Sequence, residues 1–167
     1  MHSRVFRARE SYVGEKIRMI SEEEYYDNGF IDGYHDGIEE TDEKVREEDY
    51  RWLNDITNNY GGSSIIKDAD GNWYWTVSID ALRAIVEEGY RKIERELYKP
   101  MEERNPYYIE SAIADKSGFY FDDGDGYYEN QFDFANRWWK LSVSPGSRSY
   151  GIRTITFRLE GTLDYHC

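Results

Sequence analysis

The chain has 167 residues, carries 21 Lys and Arg against 34 Asp and Glu for a formal charge of −13, and is 39% hydrophobic, 17% aromatic and 33% charged. That length suits one compact domain or two small ones, and 5 Trp, 16 Tyr and 7 Phe argue against a disordered chain, because disordered chains are depleted in aromatics. No apolar run approaches the roughly 18 residues of a membrane span, the charged first sixteen residues predict no secretory leader, and the single Cys167 has no partner for an internal disulfide, so a cytoplasmic protein is expected.

The acidity is local. Residues 22–49 hold thirteen acids against Lys44 and Arg46, a net of −11, while the rest of the chain carries only −2. Ser21 and Glu24 have capping-box spacing, and Glu22, Glu23 and Glu24 suit the positive end of a helix dipole, so a helix is predicted to start at residue 22. Ile31, Ile38, Val45 and Trp52 then recur every seven residues, predicting an acidic helical segment over 22–60. It reads as one long helix or as two with a break near Thr41 and Asp42, closed by Gly61 and Gly62. Gly29, Gly33 and Gly37 fall every fourth residue. Each would cost a helix ~1 kcal/mol relative to Ala, so close packing against a neighbouring helix, or a symmetric homodimer through the glycine strip, is expected.

Further on, Trp73, Trp75, Val77 and Ile79 alternate with polar neighbours as in a half-buried strand. Asp80 can cap a helix whose stripe is Leu82, Ile85, Val86, Gly89, Ile93 and Leu97, with Pro100 just past its end. From residue 106 the segments YYIESAIA, SGFYF, YYENQFDF, NRWWKLSVS and YGIRTITFRLEG read as strands, the last two joined in a hairpin by PGSRSYG. The expected fold is a single α+β domain over 1–167. It comprises an N-terminal acidic helix (one long or two consecutive), a further amphipathic helix, and a mostly antiparallel C-terminal sheet built as a β-meander over 106–165.

No motif names a reaction. Asp68, Asp70 and Gly71 suggest a turn rather than a calcium loop, since the twelfth position holds Ile79 in place of a closing Glu. His2, His35 and His166 are scattered, so no metal is expected. There is no nucleophile elbow, phosphate-cradling loop or dinucleotide fingerprint, and neither cofactor nor catalysis is expected. Trp138, Lys140, Arg153 and Arg158 could stack on nucleic acid, but the net charge would repel a polyanion, so direct nucleic-acid binding is not expected.

The acidic segment suggests the opposite. Carboxylates one helix turn apart repeat at about 5.4 Å, on the order of the spacing between backbone phosphates, and such a surface can occupy a basic groove. The predicted partner-binding residues are Glu22, Glu23, Glu24, Tyr25, Tyr26, Asp27, Asp32, Tyr34, Asp36, Glu39, Glu40, Glu43, Glu47, Glu48 and Asp49. A second acidic cluster, Asp122, Asp123 and Asp125, is an auxiliary contact.

In this charge pattern, size and compact α+β outline the chain is similar to the small acidic proteins with which phages and toxin systems block nucleic-acid enzymes: anti-CRISPR proteins, anti-restriction DNA mimics and nuclease immunity proteins. The likeness covers the charge pattern and outline and carries over no individual residue. It implies a non-enzymatic inhibitor of a nucleic-acid-binding protein or nuclease, in the first place a phage-type anti-defence protein working in the host cytoplasm. The rival expectations are a small enzyme or ligand-binding domain with an aromatic pocket on the sheet, lined by Trp73, Trp75, Trp138 and Arg153, and an assembly subunit that dimerises through the glycine strip.

Overall fold

A computed structural model describes residues 2–12, 14–27, 36–113 and 119–166. In chain order the elements are β1 (His2–Glu10), α1 (Glu22–Asp27), β2 (Gly37–Glu40), α2 (Glu43–Asn58), β3 (Ser63–Lys67), β4 (Trp73–Ser78), α3 (Ile79–Leu97), α4 (Pro106–Ile113), β5 (Phe119–Asp122), β6 (Tyr127–Tyr128), α5 (Gln131–Val143) and β7 (Thr154–His166). The fold is α+β: among the described residues, five helices and seven strands in one mostly antiparallel sheet. Strand order is β3-β4-β7-β1-β5-β6, with β2 also on β7; β1 and β5 run parallel, and the other pairs are antiparallel.

The long β7 organises the sheet. Its first half pairs with β4 and its last four residues with β2, while β1 follows the opposite edge. Phe6 faces Thr162 and Ala8 faces Leu159, so β7 holds one extra residue, a bulge at Glu160 and Gly161. Gly161 takes φ +104°, which an L side chain rarely adopts. The bulge resets the alternation. Leu159 joins the main core and Thr162 bonds Asp49 of α2 on that side, whereas Leu163 joins the second cluster.

The main core packs Phe6, Trp75, Phe121 and Phe157 of the sheet against Leu53 of α2, Leu82 of α3 and Phe134 of α5. Rings stack there, Phe121 on Phe134 with centroids 4.4 Å apart. Gly89 lets α3 and α5 approach, since a Cβ on it would lie 2.1 Å from a ring carbon of Phe132. A smaller cluster, Val5, Ile20, Tyr25, Ile38 and Leu163, lies between the sheet and the segment running from residue 15 through α1.

Strand β4, helix α3 with its buried Leu82, Ile85, Val86 and Gly89, and strand β7 match expectation. Ser78 rather than Asp80 caps α3, accepting from the Ala81 N–H at 3.0 Å. Other expectations are corrected. The first element is a strand, not a helix. Residues 22–60 are not one helical segment, because Ile38 enters the sheet beside Leu163 and forces 37–40 into extended pairing with β7. Gly37 therefore sits in a strand opposite His166, where an added Cβ would make only a 3.9 Å contact, and not on a helix-packing strip; Gly29 and Gly33 lie outside the described residues. YYIESAIA is helix α4 as far as Ile113, Ala114 lying outside the described residues, since Asn105 accepts from the Tyr107 N–H at 3.0 Å and Pro106 occupies the first helical position. YYENQFDF contributes only the two-residue β6 before α5 begins, and NRWWKLSVS is α5. Asn130 caps that helix and Phe134, Ala135, Trp138 and Ser142 form its buried face. PGSRSYG thus links a helix to β7 and makes no hairpin, and the sheet draws strands from both ends of the chain instead of a C-terminal meander.

Candidate functional site

The predicted acidic residues divide into two groups. Outward lie Glu22 and Glu23 in the first turn of α1, then Tyr26 and Asp27, the pair Glu39 and Glu40 on β2, and Glu43 and Glu48 on α2. The helix α1 packs against β2 with the second cluster, and β2 leads through Thr41 and Asp42 into α2, whose Leu53 packs into the main core, so the exposed acids pass along the chain from one face of the sheet at α1 to the other at α2. Asp42 caps α2, accepting from the Val45 N–H at 2.9 Å. Of the described residues in 22–48, eight carboxylates are exposed and Lys44 is the exposed base. Lys67 of β3 partly offsets α2, 3.1 Å from Glu47 and 3.5 Å from Glu43. Asp36 is half-buried. Asp32 and Tyr34 lie outside the described residues.

The second group points inward. Asp49 accepts from Arg4 Nε with both oxygens at 3.1 Å and from the Thr162 hydroxyl at 3.0 Å; burial raises its carboxyl above the usual range despite the opposing charge of Arg4. Tyr25 is fully buried and donates to Asp122 Oδ2 at 3.1 Å. Asp122 also accepts from Arg7 Nε at 2.9 Å and Nη2 at 2.7 Å. Glu24 holds the same Arg7 and reaches Arg18. Burial alone would raise the Glu24 carboxyl, but the hydrogen bond and charge of Arg7, with Arg18 behind, outweigh it and hold it low. Asp123 accepts from the N–H groups of Asp125 and Gly126 and from the Tyr128 hydroxyl, so it shapes its own turn; burial raises its carboxyl. Asp125 stands exposed.

Sequence reasoning missed the arginines that order this side. Arg7, Arg9 and Arg158 project from β1 and β7 onto the face away from the main core. Glu160, fully buried, accepts from Arg158 Nε at 2.6 Å and from Arg9 Nε at 2.6 Å. The same guanidinia donate to main-chain carbonyls of the covering segment: Arg158 to Glu15 and Lys16, Arg7 to Arg18 and Met19. Residues 15–19 are thereby strapped across buried charge. A faint signal existed, since Arg158 and Glu160 lie two apart in a strand and so share a face.

Beside this strap opens a cleft of about 210 Å³, lined among others by Tyr12, Glu15, Asp125, Trp138 and Arg148. Trp75 is packed inside the core, Trp73 is half-buried under Lys67, and Arg153 is exposed, so these three do not line that cleft. Among the described residues no group of three or more His, Cys, Asp or Glu could hold a metal ion, and no helix is long and apolar enough to cross a membrane. Comparison with protein-family models, with the curated proteins and with the solved structures found no match to this chain.

Proposed function

We propose that the protein is a non-enzymatic acidic interaction protein that inhibits a nucleic-acid-binding protein or nuclease by occupying its basic groove, most readily a phage-type, anti-CRISPR-like anti-defence inhibitor. The observation that carries this reading is the run of exposed carboxylates along α1, β2 and the start of α2, faced among the described residues of that stretch by one exposed base. Opposite fields of this kind steer association and reject wrong partners. Tyr26, exposed among these acids, supplies a rigid amphipathic contact. Glu24, Tyr25, Asp49 and Asp122 support the surface from inside, while Asp123 shapes its own turn.

The test is capture from a host lysate with the protein immobilised at low salt, followed by elution with salt and competition with nucleic acid. The expected partner is a nucleic-acid-binding protein that nucleic acid displaces. A variant with Glu39, Glu40, Glu43 and Glu48 all changed to Lys should lose capture and inhibition while keeping its fold, since exposed substitutions of this type shift stability by about 0.5 kcal/mol or less each. Full inhibition by that variant rules the reading out.

A further inference from the structure

The cleft beside the strap already holds a guanidinium. Arg148, from the link between α5 and β7, lies with its guanidinium carbon 4.7 Å from the centre of the Tyr12 ring and an Nη2 3.2 Å from the Glu10 carboxylate. Tyr12 in turn donates its hydroxyl to Glu10, which fixes the ring beneath the cation. An aromatic face with a carboxylate at its edge is the environment a planar cation prefers. Arg148 fills it loosely, its side chain being 67% exposed on an irregular connection.

The rest of the lining has charge to spare. Four carboxylates, those of Glu10, Glu15, Asp123 and Asp125, meet two guanidinia, those of Arg9 and Arg148. Arg9 is committed to the buried Glu160 and comes only to 3.9 Å of Glu15. Asp125 and Glu15 are both exposed at the cleft. Trp138 supplies the other aromatic wall. It is 4% exposed, and its buried indole N–H has no acceptor among the described residues.

We propose that this cleft is a receptor for an arginine-type guanidinium, with Arg148 as the chain's own stand-in occupant. The group could arrive on free arginine or on an arginine residue of a protein partner. The proposal does not depend on the acidic face described above, and either can fail alone.

The indole N–H signal of Trp138 in a ¹H–¹⁵N spectrum, assigned with Trp138→Phe, reads occupancy through the ring that lines the cleft. Titration with N-acetyl-arginine methylamide should move it saturably, and N-acetyl-lysine methylamide should bind at least about tenfold more weakly, lacking the planar fork. Free arginine binding more tightly than the capped form assigns the cleft to a small molecule; the reverse order assigns it to a partner's side chain. Arg148→Ala should tighten binding about threefold or more by removing the competitor. The pair Glu15→Gln and Asp125→Asn, both at exposed positions, should weaken it about tenfold. Absence of a saturable shift with the arginine probes, equal binding of the lysine probe, or weaker binding by Arg148→Ala overturns the proposal.

Discussion

Replacing Glu160 with Gln keeps the side-chain volume and removes the charge that two arginines share. Glu160 has no exposed surface; Arg158 bonds Oε1 at 2.6 Å, while Arg9 bonds Oε2 at 2.6 Å and Oε1 at 3.1 Å. In the variant a neutral amide meets two donor-only guanidinia, and its own NH2 group points donor at donor. Breaking a buried ion pair by removing one partner costs about 3–5 kcal/mol. Arg158 is 5% exposed and cannot rehydrate, but the Arg9 side chain is 23% exposed and recovers part of its hydration. The loss is therefore expected at the lower end, about 3 kcal/mol. With a urea m-value of about 2–3 kcal/mol/M, the midpoint should fall by about 1–1.5 M, followed by fluorescence of the buried Trp75 and Trp138. The double variant Arg158→Met with Glu160→Leu should lose less than Glu160→Gln, because no buried charge is left unpaired and the groups that lose a partner, Arg9 and the carbonyls of the exposed Glu15 and Lys16, can be rehydrated. A loss below about 1 kcal/mol for Glu160→Gln would show that water serves these guanidinia as well as the carboxylate does, and the account of the buried network would be wrong.

At Gly161, Ala would combine φ +104° with a Cβ 2.6 Å from Ile20 Cγ2; a loss of about 2–3 kcal/mol is expected, seen as a melting temperature lower by about 4–12 °C. The Glu24 carboxyl is held below its ordinary 4.5 in the fold, so its contribution is present above that pH and lost as pH falls through the lowered folded value. Urea midpoints of the parent protein and Glu24→Gln should accordingly converge as the pH is taken below 4.5, and a constant gap would contradict the Arg7 assignment. Exposed like charges on the acidic face repel, so raising salt from about 0.01 to about 0.3 M should raise the melting temperature, whereas a fall would mean that attractive pairs such as Lys67 with Glu47 dominate that surface.

Helix α3 was legible because its apolar positions keep one period over nineteen residues, and β4 because Trp73, Trp75 and Val77 hold the other. The α5 segment satisfies both: Trp139, Leu141 and Val143 alternate like a strand, but Phe134, Ala135 and Trp138 are what the core takes up. The Asn130 side chain accepting from the Asp133 N–H at 2.8 Å was the local mark of its start. Strand β1 was hidden by its own arginines, which in isolation read as surface. Their partners are remote, Asp122 lying 115 positions from Arg7 and Glu160 lying 151 from Arg9, so no window of local pattern contains both ends of a pair.

The same remoteness changes what the acidic segment means. Arg4, Arg7, Arg9 and Arg158 lie outside the acidic segment, and each spends its charge within the fold, on Asp49, on Asp122 and, for the last two, on Glu160. These four arginines meet three carboxylates inside, so the remaining residues carry −14 against the chain's −13. A carboxylate's place in the sequence cluster therefore does not tell its role: Asp49 and Glu48 are adjacent, but one is locked to Arg4 and Thr162 while the other faces outward. Changing Asp49 to Lys would bury a cation beside Arg4 and cost folding, and the same change at Glu48 would alter only the outward field, so comparing the two separates a folding defect from a binding defect at neighbouring positions.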